Sequence, residues 1–364
     1  MDSIQDIFTA FTPQYLERFK DHIPQNHIKV IDAIIACRTQ RCGITVYECN
    51  TCRKSHFTFR SCGNRHCPTC QHHKTIEWLD RQNKRHLPGH HFMLTFTMPS
   101  QIRSFVRSNQ RLSYGAMFAA SSNTIKKLTK DEKYIGGDMP GFFGVLHTWG
   151  RQLQYHPHIH YIVPGGALSS KNNAWHCSRL DFFLPVKVLS QIFKAKFRDL
   201  MVKADRFHDI PPEVWGIDWN VNCQAIGSSV ESIRYLAPYV FKVAISNTRI
   251  VKVQNDRVFY RYKKSGCHRW RTVSVEAIEF IRRFLQHALP TGFMKVRYYG
   301  ILHPRSAIPL DKVRILIEMA HGFDVIYRKP PLVEKTQPVC SHCGGKLTYL
   351  YSILPYMLPP KGFG

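Results

Sequence analysis

The sequence predicts an α+β fold, and three observations predict it. Two runs alternate apolar and polar residues with a period of two, at 91–98 and 217–223. An apolar run, Gly144–Trp149, and an alternating run, Tyr155–Val163, flank a turn centred near Gln152 and form a hairpin near the middle of the chain. Stretches of helical period lie between these runs, so the strands are expected to form a sheet with helices on one face.

Each element has its own local reason. The first 85 residues read as two short helices, around Ile7–Phe19 and His27–Cys37, followed by a cysteine module and a charged exit through Trp78-Leu79-Asp80-Arg81. In 91–98 the apolar positions are Phe92, Leu94, Phe96 and Met98, and Pro99-Ser100 ends the strand. A helical stretch follows over 101–129, then the hairpin with its Pro164-Gly165-Gly166 stop, then an amphipathic helix near Val188–Asp205. Ile217, Trp219, Val221 and Cys223 alternate as another strand. Beyond it, Ile233, Leu236, Ala237 and Val240 make one apolar helical stripe with Ser228 or Ser229 as the cap. Asn255-Asp256 marks a second hairpin, and 274–288 reads as a basic amphipathic helix. The domains expected are 1–85, 86–290 and 291–364, the last holding a lone C-x2-C.

Charge narrows the partners. Lys and Arg number 51 against 25 Asp and Glu, a net charge of +26, well beyond what solubility asks of a surface, and a polyanion is the default partner. Lys126-Lys127, Lys263-Lys264 and Arg282-Arg283 lie among aromatic neighbours, a mixture that suits phosphate contact and base stacking on single strands. No apolar run approaches the roughly 18 residues of a spanning helix, so no membrane role is expected. Met1-Asp-Ser-Ile-Gln-Asp starts acidic and lacks an apolar leader segment, so the cysteines are expected to be reduced or metal-bound.

Three groups of residues carry chemistry. In an extended chain, positions i, i+2 and i+4 share a face, so His156, His158 and His160 converge. The turn near Gln152 places His147 opposite His158, which makes a histidine metal site with neutral ligands. On the helix after residue 228, Tyr235 and Tyr239 sit about 40° apart, away from the apolar stripe, with Lys242 beside them and Pro238 between them. In the amino-terminal module, Cys49-Asn-Thr-Cys52 and Cys67-Pro-Thr-Cys70 are paired knuckles suited to one structural Zn²⁺, with Cys62, His56 and His66 between them either as substitute ligands or as a second, incomplete shell. Cys340-Ser-His-Cys343 is half a knuckle and needs ligands from elsewhere.

Together the motifs resemble the HUH (His-hydrophobic-His) endonucleases, and within them the rolling-circle, two-tyrosine transposases of bacterial insertion sequences. His158-Ile-His160 matches the HUH pair, and Tyr235-Leu-Ala-Pro-Tyr239 matches the family's Tyr-x3-Tyr. The flanks Leu146–Gly150, His156–Gly166 and Val243–Asn247 resemble the family too, and the likeness extends over most of the chain. The tyrosines follow the histidines, as in rolling-circle replication initiators and transposases.

The resemblance implies a ferredoxin-like antiparallel sheet with the metal on its open face, and a zinc-binding domain with a cysteine corresponding to Cys62. It implies Tyr235 and Tyr239 as nucleophiles and His147, His156, His158 and His160 around Mg²⁺ or Mn²⁺, with His147 as third ligand; Lys242, beside the tyrosines, is expected to contact DNA. Single-stranded DNA, insertion-sequence ends and target DNA would be the partners, in the cytoplasm at the bacterial nucleoid; a homo-oligomer is left open. The same chemistry would also serve a plasmid replication initiator or relaxase, while a non-catalytic zinc-dependent DNA-binding protein is the rival of another class. A metal oxygenase would explain neither the tyrosines nor the charge.

Overall fold

The computed structural model describes residues 3–228, 240, 244–263, 269–328 and 338–355. In chain order it has α1 (Ile4–Phe19), α2 (Gln25–Ala36), β1 (Ile44–Cys49), β2 (Ser55–Phe59), α3 (His72–Asn83), β3 (His90–Thr97), α4 (Arg103–Ser108) and α5 (Gln110–Lys130). Then come β4 (Gly141–Trp149), β5 (Tyr155–Pro164), β6 (Gly166–Ser169), β7 (Ala174–Cys177), α6 (Val186–Lys203) and β8 (Val221–Ser228). The remainder comprises β9 (Ile250–Gln254), β10 (Arg257–Lys263), β11 (Trp270–Glu276), α7 (Ala277–Leu285), β12 (Val296–Gly300), α8 (Leu310–Ala320) and β13 (Leu347–Ile353). The chain divides into two compact units, each discontinuous in sequence: 1–76 with 241–288 and 332–364, and 77–240 with 289–331.

The second unit is built on a five-stranded sheet in the order β12-β4-β5-β3-β8, every pair antiparallel. The run β3-α5-β4-β5-α6-β8 with the spatial order β4-β5-β3-β8 is the ferredoxin-like arrangement, to which β12 adds an edge strand beside β4. Alternation explains the layering. Phe92, Leu94 and Phe96 of β3, Leu146 of β4, and Ile159, Tyr161 and Val163 of β5 all enter one core with residues of α5 and α6. Phe96 meets Phe193 edge-on at 5.0 Å, and Tyr161 meets Phe96 at 5.8 Å and Phe142 at 5.5 Å. Each such ring contributes on the order of 2–3 kcal/mol through burial. The buried Tyr161 hydroxyl is satisfied by Ser121 Oγ at 2.7 Å, and its ring occupies the space where a Cβ on Gly144 would lie, which is why the neighbouring strand carries glycine there.

In the first unit, α1 starts with a capping box: Ser3 Oγ accepts from the Asp6 amide at 3.1 Å, and the Asp6 carboxylate accepts from the Ser3 amide. Its buried face, Ile4, Ile7, Phe8, Phe11 and Tyr15, includes Phe8, which packs edge-on against Phe284 of α7 at 5.2 Å. Two three-stranded sheets belong to this unit, β13-β1-β2 and β11-β10-β9. Asn255 and Asp256 take φ of 50° and 55°, the left-handed pair that closes a two-residue hairpin between β9 and β10 as the sequence predicts.

Two expectations shift. The strand read over 217–223 begins at Val221, because Trp219 is drawn into the core instead, its indole N–H donating to the Val214 carbonyl at 3.1 Å and its ring packed on Phe193 and Phe197. The helix read over 274–288 begins at Ala277, because residues 270–276 pair along the whole of β10. Tyr235, Tyr239 and Lys242, expected from the sequence to lie on one helix, fall outside the described residues. No helix among the described residues is long and apolar enough to cross a membrane.

Candidate metal centres

The β4–β5 pairing sets the histidine site. The register places His147 opposite His158 and Val145 opposite His160, the alignment expected from a turn near Gln152. Since Ile159 and Tyr161 point into the core, the even-numbered histidines of β5 take the other face. His147, His158 and His160 bring one ligand nitrogen each within 4.8 Å of the others. His156, counted with them from the sequence, is not one of the three: its ring lies 5.1 Å from that of His158, and its Nδ1 accepts from the Arg103 guanidinium at 2.7 Å. That acceptance makes it a neutral ring protonated on Nε2.

Neighbouring groups orient the triple. His158 Nδ1 lies 2.7 Å from the His156 carbonyl, so Nδ1 carries the proton and Nε2 keeps its lone pair for a ligand. Thr95 Oγ1, on the adjacent β3, is 2.9 Å from His160 Nδ1 and holds that ring by a hydrogen bond. The His147 ring stacks on Trp149 at 5.0 Å, and the Lys295 ammonium sits 4.7 Å from the Trp149 ring centroid. Burial pushes all three β5 imidazoles down, His158 well below its ordinary value and His156 and His160 to about 4, with neighbouring positive groups adding to it. Near neutral pH they are uncharged, the form that binds a metal. Thr95 and Arg103 were not legible as site residues, since only the sheet register and the α4 position bring them in.

Among the described residues the cysteines form two clusters where the sequence predicts one. Cys37, Cys62, Cys67 and Cys70 gather in one, and Cys49, Cys52, Cys340 and Cys343 in the other. The knuckles at 49–52 and 67–70 therefore do not share an ion. Cys49 ends β1 and turns back through Cys52 toward β2, while Cys67 and Cys70 lie in the loop before α3, and Cys37 reaches them from the C-cap of α2. Cys62, expected only as a substitute ligand, takes a full place, and Cys37 carried no knuckle spacing to reveal it. Cys62 and Cys70 sulfurs lie 3.7 Å apart. A ZnS₄ tetrahedron with Zn–S of about 2.3 Å spaces its sulfurs by about 3.8 Å, whereas a disulfide would require about 2.05 Å. Thiol contacts spread the cluster's acidities: hydrogen bonding from Cys62 and Cys67 holds Cys70 far below the ordinary thiol value, and Cys62 is raised.

Comparison with known proteins finds two matching family models. Residues 7–98 match the family model described as "Transposase zinc-binding domain", and residues 141–307 match the one described as "Putative transposase". The chain is similar to "Putative transposase y4qJ" of Sinorhizobium fredii (strain NBRC 101917 / NGR234), 34% identical over 323 residues that cover 83% of this chain and 80% of that protein. It is also similar to the "Transposase for insertion sequence element IS801" of Pseudomonas savastanoi pv. phaseolicola, 25% identical over 312 residues, 80% of this chain and 74% of that one. No solved structure matches. The cysteine clusters fall within or pair with the matched zinc-binding domain and the histidine strands fall within the second match, and the chain belongs to the insertion-sequence transposases that carry this amino-terminal domain.

Proposed function

We propose that the chain cleaves and transfers single DNA strands in a metal-dependent reaction, joining DNA ends through tyrosine in rolling-circle transposition. The observation that carries this reading is the convergence of His147, His158 and His160 on the face of a ferredoxin-like sheet opposite its helices. The donor set fits a divalent ion: three imidazoles, two of them with Nδ1 engaged by the chain, offer nitrogen ligands that suit Mn²⁺ better than the oxygen-preferring Mg²⁺. Bound there, such an ion supplies Lewis acidity toward a phosphodiester oxygen.

The nucleophiles in this reading are Tyr235 and Tyr239, assigned by sequence. A phenol with a reference pKa near 10 is a weak nucleophile at neutral pH, so it gains from a phosphate already held and polarised. The tyrosine oxygen forms a bond to phosphorus, the bond to the 3′-oxygen breaks, the phenolic proton leaves and the 3′-oxygen departs as a hydroxyl. The 5′-phosphotyrosine keeps the phosphodiester's free energy, so a later 3′-hydroxyl can reverse the step at a new site without an external energy source. A second tyrosine permits a second cleavage while the first remains occupied. Lys242, beside Tyr239 in sequence, would contact the DNA backbone.

The β9–β10–β11 sheet supports a single-stranded substrate by its own chemistry. Trp270 is 51% exposed, with the Arg261 guanidinium 5.5 Å and the Lys263 ammonium 5.0 Å from its ring, and Lys252 lies 5.0 Å from the Phe259 ring. Aromatic faces among cations suit stacked bases and their phosphates. The enzyme would act on insertion-sequence ends and target DNA at the bacterial nucleoid. The test is incubation with end-labelled single-stranded DNA and Mn²⁺ followed by denaturation. Label retained on the protein, dependent on the ion, is expected; binding without any covalent adduct would leave a non-catalytic DNA-binding protein.

A further inference from the structure

The transposase zinc-binding domain as matched ends at residue 98, yet one of the two four-cysteine clusters takes half its thiols from far beyond it. We propose that Cys340 and Cys343 complete a second structural zinc site with Cys49 and Cys52, so that each chain holds two zinc ions and the second ion ties β13 to the β1–β2 hairpin.

The two half-sites have the same local structure. In one, the Arg53 amide donates to the Cys49 carbonyl at 3.0 Å, and Arg53 takes φ of 58°. In the other, the Gly344 amide donates to the Cys340 carbonyl at 2.9 Å, and Gly344 takes φ of 75°. Each is a tight turn reversed by a left-handed residue directly after its second cysteine. Backbone amides point at the leading sulfur of each: Thr51 and Cys52 donate to Cys49 Sγ at 3.4 and 3.5 Å, and His342 donates to Cys340 Sγ at 3.4 Å. Amide donors to sulfur favour the thiolate, the form a metal requires.

The half-sites then face each other. Cys49 Sγ lies 3.4 Å from Cys343 Sγ, and Cys52 Sγ lies 3.8 Å from Cys340 Sγ. Both distances are far too long for a disulfide and close to the edge of a ZnS₄ tetrahedron, about 3.8 Å. The backbone is built for the approach. β13 pairs antiparallel with β1 from Ile44↔Ile353 to Cys49↔Leu347, the Asn50 amide donates to the Lys346 carbonyl at 3.0 Å, and a Cβ on Gly345 would stand 3.0 Å from Cys49 Sγ. His56 Nε2, on β2, lies 3.1 Å from Cys340 Sγ, placed to donate to the sulfur rather than to take a fifth position around an ion already held by four thiolates.

Elemental analysis of the purified full-length, reduced protein should find two zinc ions per chain. The Cys340→Ser/Cys343→Ser double variant should retain one, and His56→Ala should retain two. One zinc in the wild type, or an unchanged count in the double variant, would overturn the proposal. A measurement on the unaltered protein guards against misfolding of the variant. Cys343 is solvent-exposed, so without a ligand it should be alkylated readily. With zinc bound, its labelling by iodoacetamide, followed by peptide mapping, should be at least about tenfold slower than after chelation, with Cys49, Cys52 and Cys340 released alongside it. Equal labelling of Cys343 before and after chelation, while Cys67 and Cys70 gain reactivity, would leave a single zinc site in the chain and refute the second.

Discussion

His147 and His158 are direct partners across β4 and β5, their ring centroids 5.3 Å apart, and His160 stands 4.8 Å from each. The triangle is set by backbone register and not by loop conformation, so it should survive removal of any one ring. His158→Ala and His160→Ala should each lower metal-dependent nicking of single-stranded DNA by about a hundredfold or more, the scale seen when a group stabilising transition-state charge is removed. Fluorescence anisotropy should show DNA affinity nearly unchanged, since binding rests on phosphate contacts. Near-wild-type nicking by either variant would place the metal site elsewhere.

Thr95 acts on the site through His160. Thr95→Val keeps the shape and removes the hydroxyl that holds Nδ1 at 2.9 Å. The Mn²⁺ concentration giving half-maximal nicking should rise about 10–100-fold, with the rate at saturating Mn²⁺ largely kept. A loss of rate that excess metal does not restore would show that the hydroxyl matters in some other way.

Acid should loosen the metal-free protein. His160 and His156 are held near 4 and His158 well below its ordinary value, against about 6.5 in an unfolded chain. Between those values the unfolded state binds more protons than the folded one, so stability is full above about pH 6.5 and falls as pH drops toward 4. Thermal midpoints measured with chelator from pH 7.5 to 4.5 should decline through this window, and His160→Gln should flatten the decline. An identical slope in that variant would assign the acid sensitivity to other groups.

On the β9–β11 sheet, stacking and charge should separate cleanly. Trp270→Ala should weaken single-stranded DNA binding about tenfold, as loss of one stacked base at roughly 1–3 kcal/mol implies, without changing the salt dependence. Lys252→Ala should weaken binding less and reduce the slope of log affinity against log salt by about 0.7 if it meets one phosphate. If neither change moves affinity, the DNA path lies on another surface.

The tyrosine assignment has the most direct test. Tyr235→Phe and Tyr239→Phe each remove one oxygen and keep the ring, so each single variant should still form an adduct with labelled DNA, while complete transposition fails in both. Peptide mapping of the trapped adduct checks this. An adduct on any other tyrosine in the double variant would remove both residues from the mechanism.

The histidine strand was legible in the sequence because it depends on a period of two and one turn, both local. His147 opposite His158 follows from counting back around Gln152. Thr95 and Arg103 were not legible, because they reach the histidines only through the β3–β5 register and the placement of α4. The cysteines show the same boundary. Spacing picked out Cys49–Cys52 and Cys67–Cys70 as knuckles, yet their partners follow from tertiary pairing: Cys37 from the end of α2, and Cys340–Cys343 from β13. Trp219 misled in the opposite direction, since an aromatic in alternating register can be pulled into the core by its own indole hydrogen bond and leave the strand.

The pairing of β1 with β13 also orders events during synthesis. A chain emerging from the ribosome at about 5–20 residues per second exposes β1 and β2 early, but the strand that flanks β1 on its other side, and the thiols opposite Cys49 and Cys52, arrive only after residue 340 has followed. For that interval β1 has an open edge, and Cys49 and Cys52 lack half of their set. A nascent or truncated chain stopping short of residue 340 would thus present an incomplete zinc module whatever the state of its histidine sheet. Completion of the amino-terminal module becomes a check that nearly all of the described chain has been made.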